Sequence, residues 1–273
     1  PHGLVVTGGH DQCMSALGAG VIEPGLACYS MGTAEVISTC FDAPRMTPAM
    51  LDSNYPCYCH SAGGRYFTIT LNQSGGLSLE WFAGVLEGDL GGLAGALRVE
   101  PSPVLFLPHI VGSGTPTCDH LSRGSFVGLS LKTGRRDMFQ AVADALAFEA
   151  RLNLERLEQL GIPVNELRAV GGGSKSATLL ELKATVLERP IATLENPEAA
   201  LLGCAMLAQT AVGRYGYLEQ ARRECVRIAR TVVPRTEMSE AYAAAFGRFR
   251  QLYGTLRSFY HNWRSECRTP ALV

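Results

Sequence analysis

Two glycine-rich turns, set far apart in the chain, constrain it most. Gly8-Gly9-His10-Asp11-Gln12 lies beside the amino terminus, and Gly171-Gly172-Gly173-Ser174-Lys175-Ser176 follows a short apolar stretch and opens a helix. The first offers a carboxylate on a tight backbone. The second offers bare backbone N–H groups at a helix start, where an anion or a nucleotide can approach closely. Each glycine in such a run costs roughly 0.5–1 kcal/mol of conformational entropy relative to alanine. A plain helix-opening turn needs only one, so a ligand-facing role ranks ahead of a purely structural one. A lone carboxylate together with a nucleotide cradle points to phosphoryl transfer.

Composition bounds the alternatives. The 273 residues are 47% hydrophobic and 18% charged, enough to bury a core in one large domain or two small ones. A net charge of −1 gives no basic surplus for nucleic acid or an anionic membrane. The longest apolar run, Ala199 to Ala208, is too short to span a bilayer. Nine scattered cysteines, an odd number, argue against a disulfide framework and for free thiols in a reducing cytoplasm. Cys57-x-Cys59-His60 is half of a zinc pattern with no second half, so no metal ligands are assigned. The chain opens on Pro1 with its acid-bearing turn almost at the start, which suggests the later part of a longer protein.

Residue patterning predicts a short buried strand at Leu4-Val5-Val6 and a helical turn over Met14 to Ala19. It predicts a β-hairpin over Cys28 to Cys40 with Gly32-Thr33 at its tip, and a strand at Tyr66 to Leu71 that Gly75-Gly76 ends before a helix at Leu77 to Leu86. Val104 to Leu107 is apolar, residues 112–124 are turn chemistry, and Gly124 to Leu131 returns to strand. Asp137 starts a long helix, with Gln140 completing a capping box and Gly161 stopping it. A strand at Leu167 to Val170, the triple glycine, a helix over Ala177 to Leu187 and a strand at Pro190 to Leu194 follow. Asn196 caps the next helix with Pro197 at its first position, and that helix has a small-residue interior that must pack closely. The last helix starts near Ser239 and carries an aromatic stripe, Tyr242, Phe246, Phe249, Tyr253, Tyr260 and Trp263. Core packing explains the stripe, and so does docking on another domain or on a second subunit in a homodimer. The order of elements gives an α/β fold with a mixed sheet.

No single motif decides the chemistry. Lys175-Ser176 fits the end of a phosphate-binding Walker loop, but Ser174 and Ala169 stand where its glycines belong. Gly171 and Gly173 fit a dinucleotide fingerprint that fails at Ser176, and Glu195 imitates its ribose-binding acid. An NAD(P)-dependent oxidoreductase is therefore one alternative. Asp11 alone reads as a turn former, Asp119 as a turn residue that borders a cleft, and His10, His60, His109, His120 and His261 show no pairing in the sequence.

The order of the pieces says more. GGHDQ, a GTA hairpin, TPTCDHLSRG, a long capped helix, GGGSKS and ENPEAALLGCAMLA succeed one another. So arranged, the chain resembles the C-terminal half of the FGGY family of carbohydrate kinases, nearest to its xylulokinase-like members. The resemblance implies an actin-like, ribonuclease-H-like fold that closes on a preceding domain. It implies ATP and Mg2+ as cofactors and a small sugar or polyol as substrate. Asp11 matches the catalytic base, and Gly32 and Thr33 match the hairpin that approaches the ATP phosphates. Gly172, Gly173, Ser174 and Ser176 match the turn that holds adenosine, and the loop containing Gly112 and Thr115 borders the nucleotide. Metal ligands and most sugar contacts belong to the missing N-terminal domain. The implied division is residues 1–20 as the end of that domain, 21–235 as the nucleotide-binding domain, and 236–273 as a helix at the domain junction. A non-catalytic actin-like module is the other alternative. Ser113-Gly114 replaces a charged pair seen in many relatives, and Leu182-Lys183-Ala184-Thr185 departs from the family pattern in a way expected to affect the helix surface more than the chemistry.

Overall fold

The alternation along Cys28–Cys40 forms the hairpin it predicts. In the computed structural model, which describes residues 3–266, β1 (Gly25–Met31) and β2 (Glu35–Phe41) run antiparallel, with Tyr29 opposite Ile37 and Met31 opposite Glu35. β3 (Tyr58–Cys59) and β4 (Tyr66–Ile69) extend the sheet antiparallel beyond β2. A separate two-stranded ribbon is made by β5 (Leu105–Leu107) and β6 (Ser125–Val127). On the other side of β1, β7 (Val164–Val170) and β8 (Ile191–Leu194) add in parallel, and β9 (Ile228–Val232) closes the edge antiparallel to β8. The seven-stranded order β3-β4-β2-β1-β7-β8-β9 is the mixed sheet expected.

Strand period sends alternate side chains to opposite faces. Ala27, Tyr29 and Met31 enter one apolar cluster, and Cys28 enters the other. The first cluster is covered by α3 (Gly75–Val85), α5 (Arg135–Gln159), α6 (Ala177–Leu187) and α9 (Ser239–Glu266). The second lies under α1 (Asp11–Gly18) and α7 (Ala199–Ala211). Short helices α2 (Pro48–Asp52), α4 (Leu90–Gly95) and α8 (Leu218–Cys225) fill connections. No helix among the described residues is long and apolar enough to cross a membrane.

Several local expectations are corrected. Leu4-Val5-Val6 forms no strand: Val5 is 96% exposed, and no described strand pairs with it, so its backbone groups stay with solvent. Gly134, not Asp137, precedes the first turn of α5. The Gly134 N–H donates to Asp137 Oδ2 (3.0 Å), so the acid closes the cap from the third helical position. Gln140 is buried and turned to the Arg98 backbone. Asn196 Oδ1 accepts from Glu198 N (3.0 Å) and makes a turn ahead of α7, which starts at Ala199. The strand expected through Leu131 ends at Val127, because Gly128 has a φ of +91°.

The aromatic stripe of α9 is core. Tyr242, Phe246 and Phe249 close around Phe148 of α5 with ring centroids 6.3, 5.8 and 5.1 Å away, and Tyr260 is buried. These residues are taken up by the core of the chain itself, while Trp263 at the far end is half exposed. The end of the 236–273 segment and Cys267 lie outside the described residues. The eight described cysteines are free thiols. No group of three His, Cys, Asp or Glu among the described residues is placed to hold a metal. His60 Nδ1 instead accepts from Ala62 N (2.8 Å), and burial pushes the imidazole down to about 4.

The small residues of α7 serve the crossing with α1. A Cβ on Gly18 would sit 1.8 Å from the Ala199 carbonyl oxygen, and one on Gly203 would sit 2.2 Å from that of Met14. Gly203→Ala is expected to lower stability by about 3 kcal/mol, read as a shifted urea midpoint. A second test concerns Asp144, which is buried on α5. Burial pushes its carboxyl up to about 7 against the hydrogen bonds from Ser102 N, Gln140 and Tyr242. A carboxyl raised by folding stabilises below its unfolded pKa, and that contribution is lost as pH rises through about 7. Relative to Asp144→Asn, the native chain should therefore lose on the order of 4 kcal/mol between about pH 4 and pH 7. Denaturant melts across that range measure the difference.

Candidate active site

Parallel pairing of β1 and β7 places Ser30 opposite Val170, so both strands end at the same edge of the sheet. In open α/β sheets, ligands gather outside such carboxyl ends. The chain leaves β1 into Gly32-Thr33 and leaves β7 into the triple glycine. Gly171 has φ +86° and ψ −178°, a conformation reserved for glycine, and a Cβ there would lie 3.0 Å from the Met31 carbonyl oxygen. A Cβ on Gly173 would meet Met31 Cβ at 2.9 Å. The turn thus rests on the residue just before Gly32. A Cβ on Gly172 would have nothing within 4 Å, so Gly172 presents open backbone to the outside.

The turn is a short 3-10 segment, Gly172–Lys175, ahead of α6 rather than the start of α6 itself. Ser174 Oγ donates to Gly171 O (2.7 Å), and Ser176 Oγ accepts from Leu179 N (3.3 Å) as the cap of α6. Both hydroxyls are therefore engaged in holding the turn.

The hairpin tip is fixed by α3. Gly76 N donates to Gly32 O (2.8 Å) and Leu77 N donates to Thr33 O (3.2 Å), so first-turn amides of the helix end on the tip carbonyls. This needs two glycines. A Cβ on Gly75 would be 2.7 Å from Ala34 C, and one on Gly76 would be 2.8 Å from Gly32 O. Gly75-Gly76 reads as a strand breaker in the sequence, and in the structure it lets a helix end reach the tip.

The third predicted element joins through Leu71–Gln73. Thr115 N donates to Leu71 O (2.8 Å), and Thr115 Oγ1 accepts from Leu71 N (2.7 Å) and donates to Asn153 Oδ1 (2.8 Å). Gln73 Nε2 reaches Ser113 O (3.3 Å). Glu35 and Asn72 exchange both backbone hydrogen bonds, tying this loop to the hairpin beside its tip. Gly112 and Thr115 are both buried, so the loop offers the outside no Thr115 hydroxyl. The Ser113-Gly114 departure has a steric reason, since a Cβ on Gly114 would fall 1.7 Å from Leu71 O.

Asp11 stands apart from these turns. It opens α1, exposed, with Oδ1 2.9 Å from His10 Nδ1 and 2.7 Å from Gln12 N. Cys13 Sγ meets Ser61 Oγ (3.5 Å) at one end of α1, and Ala19 O takes Arg168 NH1 (2.6 Å) just past the other. The helix therefore crosses the sheet from the β3–β4 side toward β7. A pocket of about 590 Å³ opens beside its acid-bearing turn, lined by Gly8, Gly9, His10, Tyr58, His60 and Phe67 among others. The structure brings Gly32, Thr33 and Gly171–Ser174 into one neighbourhood, with Gly112 and Thr115 behind it. No hydrogen bond among the described residues links Asp11 to the Gly32-Thr33 tip or to the triple-glycine turn.

Sequence reasoning pairs no histidine, yet His109 is held by Ser122 (2.6 Å) and Glu149 (3.2 Å), and His261 meets Asp119 (2.8 Å). Burial raises the Asp119 carboxyl, but hydrogen bonds from His261, Leu121 N and Tyr253 outweigh that and hold it below the ordinary carboxylate value. Lys183, expected at a helix surface, is fully buried against Glu35 and Tyr29. The side-chain partners of His109, His261 and Lys183 are 13 to 154 residues away, and no local pattern announces them.

Residues 30–212 match the C-terminal domain of the FGGY family of carbohydrate kinases. The chain belongs to this family. Among curated relatives, the xylulose kinase of Bacillus subtilis is 26% identical over 255 residues, which cover 91% of this chain and 50% of that protein. Among solved structures, the Brucella ovis enzyme described as a xyloylose kinase is 32% identical with a TM-score of 0.84, covering 92% of this chain and 52% of the other. The xylulose kinase of Rhodospirillum rubrum follows at 27% identity and a TM-score of 0.83, covering 96% and 53%. This FGGY chain spans about half the length of the curated relatives it matches, and its fold is the actin-like ATPase fold that the resemblance implies.

The tight seat of Gly114 on Leu71 is testable. Gly114→Ala is expected to lift the loop, costing about 2–3 kcal/mol and speeding hydrogen exchange at the Thr115 amide.

Proposed function

We propose that this FGGY chain is the nucleotide-binding half of an enzyme that phosphorylates a sugar or polyol hydroxyl with ATP. The observation that carries the reading is the placement of two glycine-containing turns, Gly32-Thr33 and Gly171–Gly173, at the ends of adjacent parallel strands. The Gly172 backbone, with open space over it, fits the face of a nucleoside, with Gly173, Ser174 and Ser176 holding the turn in shape. At the hairpin, the Gly32 N–H closes on Ala34 O (3.1 Å). In this reading Gly32 contributes the absence of a side chain, and the exposed Thr33 backbone faces the phosphates. Gly112 and Thr115 support the border of the site from inside.

Asp11 is the base that takes the proton from the attacking hydroxyl. It needs hydrogen-bond reach, about 2.6–3.2 Å, to that hydroxyl when substrate is bound. The boundary proposed at residue 20 falls just after a helix already packed on α7, so Asp11 moves with the nucleotide half as one body. Domain closure would bring sugar and nucleotide together and exclude water. No metal-binding group of three side chains occurs among the described residues, so Mg2+ is assigned to the nucleotide and to the other half of the full-length enzyme, and no step is routed through it. The relatives named as xylulose kinases make a ketose of that type the first substrate to try. A cytoplasmic location belongs to the same proposal and rests on the scattered free cysteines.

The test uses the complete protein with ATP and a panel of ketoses and polyols. Asp11→Asn is expected to cut kcat by about a thousandfold while leaving the KM for ATP nearly unchanged. Unchanged turnover would remove the base assignment. Calorimetry showing NADH binding without ADP binding would replace the kinase reading with an oxidoreductase.

A further inference from the structure

Lys183 is fully buried, and its Nζ donates to Tyr29 OH (2.7 Å) and Glu35 Oε2 (2.9 Å). Tyr29 OH in turn donates to Glu35 Oε2 (2.6 Å), and the ammonium also lies 5.0 Å from the centre of the Tyr29 ring. Burial alone pulls the Lys183 ammonium down and the neighbouring Glu35 holds it up, while the Tyr29 hydroxyl is pushed well above its ordinary range. Three polar groups thus close a ring inside an apolar cluster. Replacing such a pair by well-packed apolar residues is often neutral or stabilising, so stability is a weak account of it.

The places these residues occupy suggest another account. Tyr29 precedes by two residues Met31, the seat of Gly171 and Gly173. Glu35 follows Thr33 by two, exchanges backbone hydrogen bonds with Asn72, and packs beneath Gly75, where α3 grips the tip. Lys183 stands on α6, about 10 Å along the axis from its Ser176 cap. The ring therefore joins the hairpin to the helix that carries the triple-glycine turn. An apolar contact tolerates sliding, whereas short charged hydrogen bonds fix direction and distance.

We propose that Lys183, Glu35 and Tyr29 are positioning residues that set the spacing between the hairpin tip and the triple-glycine turn, and so the fit of a nucleotide that must reach both. The inference rests on the kinase reading above. A nucleoside without phosphates touches only the turn and is indifferent to this spacing, while ATP is not.

The experiment compares the complete native protein with Lys183→Met/Glu35→Gln and with Tyr29→Phe. It measures KM for ATP and for sugar, inhibition by adenosine, and the melting temperature. In the double variant, the KM for ATP is expected to rise about tenfold, with the sugar KM and adenosine inhibition unchanged and melting close to native. Tyr29→Phe should shift the ATP KM in the same direction by less. Folded variants that keep the native ATP KM, or that lose adenosine and ATP in equal proportion, overturn the proposal. If the double variant does not fold, Tyr29→Phe decides by the same criteria. A native protein that binds neither ATP nor adenosine fails the kinase reading instead, which the same measurements reveal.

Discussion

The parallel register of β7 on β1 is the contact on which the architecture depends. It brings together two turns that are far apart in the chain, and it does so through backbone hydrogen bonds that leave their identity to glycine. Parallel strands need a covered crossover on each side. Here α5, buried from Phe139 to Ala150 on nearly every side, runs behind the sheet and delivers the chain to β7 in register. The wide expanse of small and aromatic residues on α5 is what lets α6 and α9 close over it.

The two faces of the sheet do different work. One face is thick, aromatic and carries the buried ring around Lys183. The other is thin, and its helices approach until only glycine fits between them. A thin crossing of this kind leaves little freedom for one helix to rotate on the other. The acid at the start of α1 stands in solvent, but the helix that carries it is seated by this close crossing at Met14 and Gly18.

Much of this was legible in the sequence where the signal is local. The hairpin over Cys28–Cys40, the bounds of α6 and the start of α9 follow from alternation, caps and spacing. What misleads is a residue whose partner lies elsewhere. Leu4-Val5-Val6 has the composition of a strand but no neighbour to pair with. Lys183 looks like a surface residue because its counter-charge comes from a distant strand. Asp137 and Asn196 carry the right chemistry but stand three residues after and two residues before the cap positions of their helices, since either can serve a turn or a helix start. The candidate site divides the same way. Its glycines and its acid are visible one by one, whereas their grouping depends on strand order, which only the succession of motifs hinted at.

With the oxygen ends of the Gly32 and Thr33 peptides drawn back onto helix amides, the tip turns the opposite pole of these two dipoles outward. Peptide groups do not titrate, and they cannot be neutralised by acetylation. An anion that meets the tip itself is met there by peptide dipoles that neither acidity nor side-chain modification removes.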